Sequence, residues 1–173
     1  MSIPYLGFVG RSNSGKTTLL EKLIGELARR GYRVAVLKHT RHPGVQTDLP
    51  GKDTRRLWEA GAVHTTFLTP DRIVQTQRYA EEPALAEALA GIQDVDLILI
   101  EGYKRGAFPK IEVVRAARDP LPIPGLVGRI AYVTNLPALA GELPCFGLDA
   151  IAALADFIEN YLAEWDDGTL GRA

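Results

Sequence analysis

Two periods of hydrophobic spacing alternate along the chain. A short apolar run, "YLGFVG" at 5–10, is followed by a helical pattern, "KTTLLEKLIGELARR" at 16–30. Leu19, Leu20, Leu23, Ile24 and Leu27 recur at i, i+1, i+4, i+5 and i+8, one apolar stripe of an amphipathic helix. Arg29 and Arg30 in its last turn and Gly31 beyond mark its end. "RVAVLK" at 33–38 predicts a second strand. "DTRRLWEAG" predicts a short helix with Asp53 as its N-cap and Gly61 as its stop. "VHTTFLT" and "RIVQTQ" flank the turn "PD" and predict a β-hairpin, and "EPALAEALAGI" predicts a helix with Pro83 in its first turn.

The second half repeats the alternation. "VDLILIEG" at 95–102 is an apolar strand that ends on a glutamate, and "KIEVVR" and "RIAYVT" predict two more strands. "GLDAIAALADFIENYLAEW" predicts a closing helix packed through Ile151, Leu154, Ala155, Ile158 and Leu162. The stretch 103–118 joins strands without a helical period, and the pattern alone does not place it in a topology. Strands alternating with helices, several of them apolar throughout, predict an α/β fold with a mostly parallel sheet covered on both faces. The expected organisation is a single domain over residues 1–165 and a flexible tail at 166–173.

One stretch changes the picture from fold to chemistry. "GRSNSGKTTLL" at 10–20 contains G-x-x-x-x-G-K-[ST] between a predicted strand and a predicted helix. Gly10 and Gly15 let the backbone turn so that successive N–H groups converge on an anion at a helix N-terminus, and Arg11, Ser12, Asn13 and Ser14 supply the intervening amides. Lys16 can set its ammonium against the terminal phosphates, while Thr17, with Thr18 beside it, offers a hydroxyl to Mg²⁺. Bulky side chains would block such an approach, which accounts for the lean loop. The stretch predicts a nucleotide-phosphate site.

Such a site needs an acid near its metal. Glu101 closes the buried strand "DLILIE" where α/β sheets build their ligand crevice, so it can hold Mg²⁺ or position an attacking water. Asp96 opens the same strand and is expected to be a boundary residue. The segment 38–62 emerges at the same crevice with Lys38, His39, His42, Asp48, Lys52 and Asp53. Lys38 at the strand end is the phosphate candidate there, and Asp53 is open between helix capping and metal binding. His39, His42 and His64 without a thiolate cluster argue against a transition-metal site.

Composition adds mainly exclusions. In 173 residues, 20 basic and 21 acidic side chains leave a formal net charge of -1, which gives no reason to expect general affinity for nucleic acid or an anionic membrane. Cys145 is the single cysteine, so the chain has no internal disulfide and no Cys-x-x-Cys pair, as a reducing compartment would suit. The first ten residues lack a basic leader segment, and no apolar run approaches the roughly 18 residues of a membrane helix. The expectation is a soluble cytoplasmic protein.

Three blocks, "GRSNSGKTTLL", "LKHTRHPGVQTDLPGKDTRRLWEAGA" and "DLILIEGYKRGAFPKIEVVR", together resemble the molybdopterin-guanine dinucleotide biosynthesis protein B (MobB) family of P-loop GTP-binding proteins. The resemblance covers residues 5–115, and the second block is its most discriminating part, because the phosphate loop is shared by a very large superfamily. It implies the three-layer α/β/α fold of P-loop NTPases, a homodimer, and GTP bound with Mg²⁺ and hydrolysed weakly at most. It also implies a partner, the nucleotidyltransferase that attaches GMP to molybdopterin. Gly10 to Thr17 would then hold the phosphates, with Lys16 and Glu101 as the catalytic pair. Thr17, Glu101 and one of Asp48 or Asp53, Asp53 first, would surround Mg²⁺, and Lys104 would lie near the site.

Guanine preference has no independent support in the residues. An NKxD tetrad is absent, and "YVTNLP" supplies only Asn135, which can hydrogen-bond a purine edge or simply form an Asn-Leu-Pro turn. The competing reading is a P-loop phosphotransferase acting on a small metabolite, for which Arg55, Arg56 and Arg105 are the available lid arginines. A nickel- or zinc-delivery GTPase lacks the Cys and His clusters that role needs.

Overall fold

The computed structural model describes residues 3–45, 53–117, 120–136 and 143–166, together with 139 and 141. In chain order the elements are β1 (Tyr5–Gly10), α1 (Lys16–Arg29), β2 (Val34–Lys38), α2 (Asp53–Glu59), β3 (His64–Leu68), β4 (Ile73–Gln77), α3 (Leu85–Ala90), β5 (Leu97–Glu101), β6 (Lys110–Val114), β7 (Arg129–Thr134), β8 (Cys145–Phe146) and α4 (Ile151–Asp166). They form two compact units: Met1–Thr40 with Ile92–Ala173, and Arg41–Gly91. The expected tail, 166–173, falls outside the described residues except for the backbone of Asp166.

In the first unit six strands pair in the order β2-β5-β1-β6-β7-β8, and every pairing is parallel. Parallel pairing brings all the carboxyl ends to one edge of the sheet, where α/β proteins bind ligands. β1 runs between β5 and β6, and Glu101 stands in register with both Phe8 and Lys38. The stretch left open by the sequence crosses from β5 to β6 through residues 102–109 without a helix, seating β6 between β1 and β7.

Alternation along the strands builds the core. Leu6, Phe8, Leu97, Leu99, Ile111, Val113, Ala131 and Val133 share one buried cluster with Leu19, Leu20, Leu23 and Leu27 of α1 and with Leu154, Ala155, Ile158 and Leu162 of α4. Full burial of one such leucine contributes about 1.5–3 kcal/mol, so the stripe rather than helix propensity holds α1 in place. Arg30 ties the two helices together, donating to Asp156 at 2.6 Å and Glu159 at 2.7 Å while also bonding Glu26 at 2.8 Å. The helix ends as expected, with the N–H groups of Gly31 and Tyr32 satisfying the carbonyls of Ala28 and Leu27 at 3.0 Å.

On the opposite side of β6 two of the buried residues are charged. Lys110 is fully buried and donates to the carbonyls of Gly106 (2.7 Å), Phe108 (2.9 Å) and Val127 (3.0 Å). Two positions on, Glu112 accepts from the Ile123 amide at 2.6 Å and from Arg129 Nε at 2.7 Å. These bonds fasten the irregular segments around 106–109 and 123–128 against the strand, satisfying backbone groups that a helix would have satisfied internally.

The second unit contains the expected hairpin, β3 antiparallel to β4. Arg78 follows β4, stacks 3.9 Å from the Trp58 ring centroid and donates to the Trp58 carbonyl at 2.6 Å, locking α2 to the hairpin. A cleft of about 630 Å³ opens in this unit between Trp58, Arg55, Thr65, Thr76 and Tyr79. Two helix starts differ from the sequence reading. Asp53 is itself helical in α2 rather than its cap. α3 begins at Leu85 with Ala84 as its cap, so Pro83 precedes the helix. β8 has only two residues, too few to produce a period, and was not expected. Among the described residues no helix is long and apolar enough to cross a membrane.

Candidate phosphate and metal site

The loop between β1 and α1 forms where β1 leaves the sheet. Gly15, the residue before the helix, adopts φ +88°, left-handed backbone that suits glycine. At Gly10 space is the constraint: a Cβ there would lie 2.5 Å from the Val113 carbonyl oxygen and 2.8 Å from Ser14 Oγ. Ser14 is buried, whereas Ser12, Asn13, Thr17 and Thr18 are exposed and Arg11 is half-buried. The N-terminus of α1 has no side-chain cap and no acidic residue in its first turn. No residue of the helix itself therefore caps its leading N–H groups or neutralises its positive dipole end, the condition under which a bound phosphate is stabilised.

Lys16 folds back over this loop. Its Nζ donates to the carbonyls of Arg11 at 2.8 Å and Gly10 at 3.3 Å and to Ser14 Oγ at 3.3 Å. Burial lowers its pKa below the ordinary 10.5; the Glu101 carboxylate opposes the shift, and the positive charges of Lys104 and Lys38 add to it. Thr17 Oγ1 donates to Glu101 Oε1 at 3.0 Å, and Lys38 Nζ lies 3.4 Å from the same oxygen. One carboxylate is therefore set among Lys16, Lys38 and Lys104, an excess of positive charge that a polyphosphate carrying a divalent cation would balance. A hydroxyl and a carboxylate are hard oxygen donors, and their 3.0 Å contact fits the demands of Mg²⁺. Among the described residues no group of three or more His, Cys, Asp or Glu forms a metal cluster.

Asp48 lies outside the described residues. Asp53 belongs to the second unit, where its carboxylate is almost fully exposed and 3.7 Å from Arg56. Asn135, just beyond β7, accepts the Ala116 N–H through Oδ1 at 2.9 Å, so its carbonyl oxygen joins the loops that follow β6 and β7. Asp96 is the boundary residue expected, holding Arg33 through Oδ1 at 2.7 Å and its backbone N–H through Oδ2 at 2.8 Å. One neighbour escaped the sequence reading. Arg115 Nη1 lies 3.6 Å from where a Cβ on Gly15 would stand. Its only sequence signal is its position at the end of "KIEVVR", which does not reveal that β6 flanks β1.

A family model described as "Molybdopterin guanine dinucleotide synthesis protein B" (MobB) matches residues 5–134. The chain belongs to this family. The molybdopterin-guanine dinucleotide biosynthesis adapter protein of Haemophilus influenzae is 40% identical over 165 residues, covering 92% of this chain and 90% of that protein. The adapter protein of the same description from Escherichia coli is 36% identical, with 92% and 94% covered. Among solved structures, MobB of Bacillus subtilis superposes with a TM-score of 0.72 at 28% identity, covering 91% of this chain and 97% of that one. The MobB homologue of Bacillus stearothermophilus gives 0.70 at 26% identity, over 92% and 97%. The wholly parallel sheet with its phosphate loop after β1 is thus the MobB arrangement, a P-loop NTPase-like α/β fold.

Proposed function

We propose that this protein is an adapter in molybdopterin-guanine dinucleotide synthesis that binds GTP with Mg²⁺ and works alongside the nucleotidyltransferase attaching GMP to molybdopterin. The observation that carries the reading is the Thr17–Glu101 hydrogen bond beside an uncapped helix N-terminus, because it joins the phosphate loop to an acid within one site. Family membership and adapter relatives covered along nearly their whole length support the biosynthetic role.

In this reading the amides of Gly10 to Thr17 hold the phosphate oxygens, and Thr18 continues the first helical turn. Lys16 moves its ammonium from the Gly10 and Arg11 carbonyls to the phosphates, while Lys38 neutralises further charge. Thr17 and Glu101 hold Mg²⁺, which when bound neutralises charge on the terminal phosphates. Asp53, or Asp48, is assigned as the further acid, and Asn135 as the donor toward a purine edge through its amide nitrogen. Hydrolysis at this site is read as weak, with Lys16 and Glu101 as its catalytic pair. The assignment extends to a single functional domain over 1–165, acting as a homodimer in the cytoplasm.

Calorimetry of GTP, GDP and ATP with and without Mg²⁺ tests the reading directly. Tight Mg²⁺-dependent GTP binding is expected, and absence of nucleotide binding overturns it. Rapid stoichiometric phosphoryl transfer to a metabolite would favour the phosphotransferase instead.

A further inference from the structure

Glu101 marks one side of the phosphate loop. It closes β5, on one flank of β1, and its bond to Thr17 puts the metal-binding oxygens, and with them the terminal phosphates, toward that flank. A nucleotide seated on the loop must then extend its nucleoside toward the other flank, where β6, β7 and β8 end. The phosphate nearest the ribose passes the carboxyl end of β6.

Arg115 stands at that point. It follows Val114 directly and is exposed, with its Nη1 3.6 Å from the position of a Cβ on Gly15. Among the described residues no hydrogen bond or ion pair engages its guanidinium, in contrast to Arg30, Arg33 and Arg129, which are all held by carboxylates. The loop that carries it is nonetheless fixed, since the next amide, Ala116 N–H, donates to Asn135 Oδ1 at 2.9 Å. One acid within reach of its charge, Asp149, is already engaged: it pairs with Lys22 at 2.8 Å and feels Arg115 only at longer range. An exposed arginine beside a phosphate cradle, anchored at its backbone and without a carboxylate partner, matches the planar donor fork that phosphate oxygens accept.

We propose that Arg115 is a nucleotide-binding residue that donates to the phosphate next to the ribose, and so grips guanosine di- and triphosphates alike. This rests on the GTP-binding reading above and assigns the ribose end of the same site. Its chemistry is recognition, with no part in bond breaking: the contact lies on the side of the loop away from Glu101.

The test is Arg115→Ala, with Arg115→Lys beside it, measured by calorimetry with GTP and with GDP in the presence of Mg²⁺. Because the side chain is exposed and unpaired, both variants should melt with wild-type Tm. Arg115→Ala should lose about tenfold or more in affinity for both nucleotides by the same factor, and Arg115→Lys should recover only part of it. Unchanged affinity for both nucleotides overturns the assignment. So does a loss confined to GTP, or a fall in hydrolysis with GDP affinity intact, since either would put the guanidinium at the terminal phosphate. A wild-type protein that binds neither nucleotide removes the GTP-binding reading itself, and this assignment with it.

Discussion

Thr17 Oγ1 and Glu101 Oε1 meet at 3.0 Å although 84 positions separate them in the chain. Parallel pairing of β1 with β5 produces the meeting, by setting Glu101 level with Phe8 just below the phosphate loop. We expect Glu101→Gln to keep most of the nucleotide affinity and to lower Mg²⁺-dependent hydrolysis by at least about tenfold, because the amide lacks the charge that a metal requires. Equal hydrolysis rates in the two proteins would remove Glu101 from the site.

Lys16→Ala should leave the melting temperature close to wild type. The lysine's three partners, the Gly10 and Arg11 carbonyls and Ser14 Oγ, all lie within six residues of it, so no long-range hydrogen bond is lost. GTP affinity should fall about a hundredfold, the scale of losing charge-assisted hydrogen bonds to phosphate. Wild-type affinity measured by calorimetry would contradict the phosphate-cradle assignment.

The lowered pKa of Lys16 has a signed consequence for binding. Burial disfavours its ammonium, so the group discharges at a lower pH than the ordinary 10.5. A phosphate binds the charged form, so GTP affinity should decline as pH rises through that lowered value, earlier than an unperturbed lysine would allow. In Lys16→Arg the guanidinium stays charged, and any binding that survives should lack this component. Guanine's own titration is shared by the two proteins and cancels in the comparison. Parallel pH profiles would show that Lys16 is not the titrating group.

Acid should weaken the charge network at the C-terminal end of α1. Hydrogen bonds from Arg29 and Arg30 lower the Glu26 pKa to about 2 from its ordinary 4.5. A depressed carboxyl pKa stabilises the fold above the unfolded value, and that contribution is lost as pH falls from about 4.5 toward about 2. Arg30→Gln should flatten this part of the stability profile, measured by thermal melts across acid pH. A profile identical to wild type would mean the network contributes nothing.

Buried Glu112 pairs with half-buried Arg129, with side-chain exposures of 1% and 19%. Arg129→Leu strands the carboxylate and should cost about 3–5 kcal/mol. Arg129→Leu combined with Glu112→Leu should recover part of that loss in urea denaturation, because the uncompensated charge is gone. If the single substitution melts like wild type, the pair does not stabilise the fold.

The phosphate loop, the α1 stripe and the strand ending on Glu101 were legible because each depends on neighbours a few residues away. Spacing alone writes a helix face, a buried strand or a glycine turn into the chain. The lean composition of 10–17 likewise expressed the requirement for close backbone approach before any fold was known. Parallel sheet order was a different matter. That β6 flanks β1, and that Arg115 therefore stands beside Gly15, follows from pairing between segments about a hundred residues apart. Local patterning carries no record of such neighbours. Nothing in "KIEVVR" marks Lys110 and Glu112 as buried, yet tertiary structure buries both, where they supply a donor and an acceptor to the irregular segments beside β6.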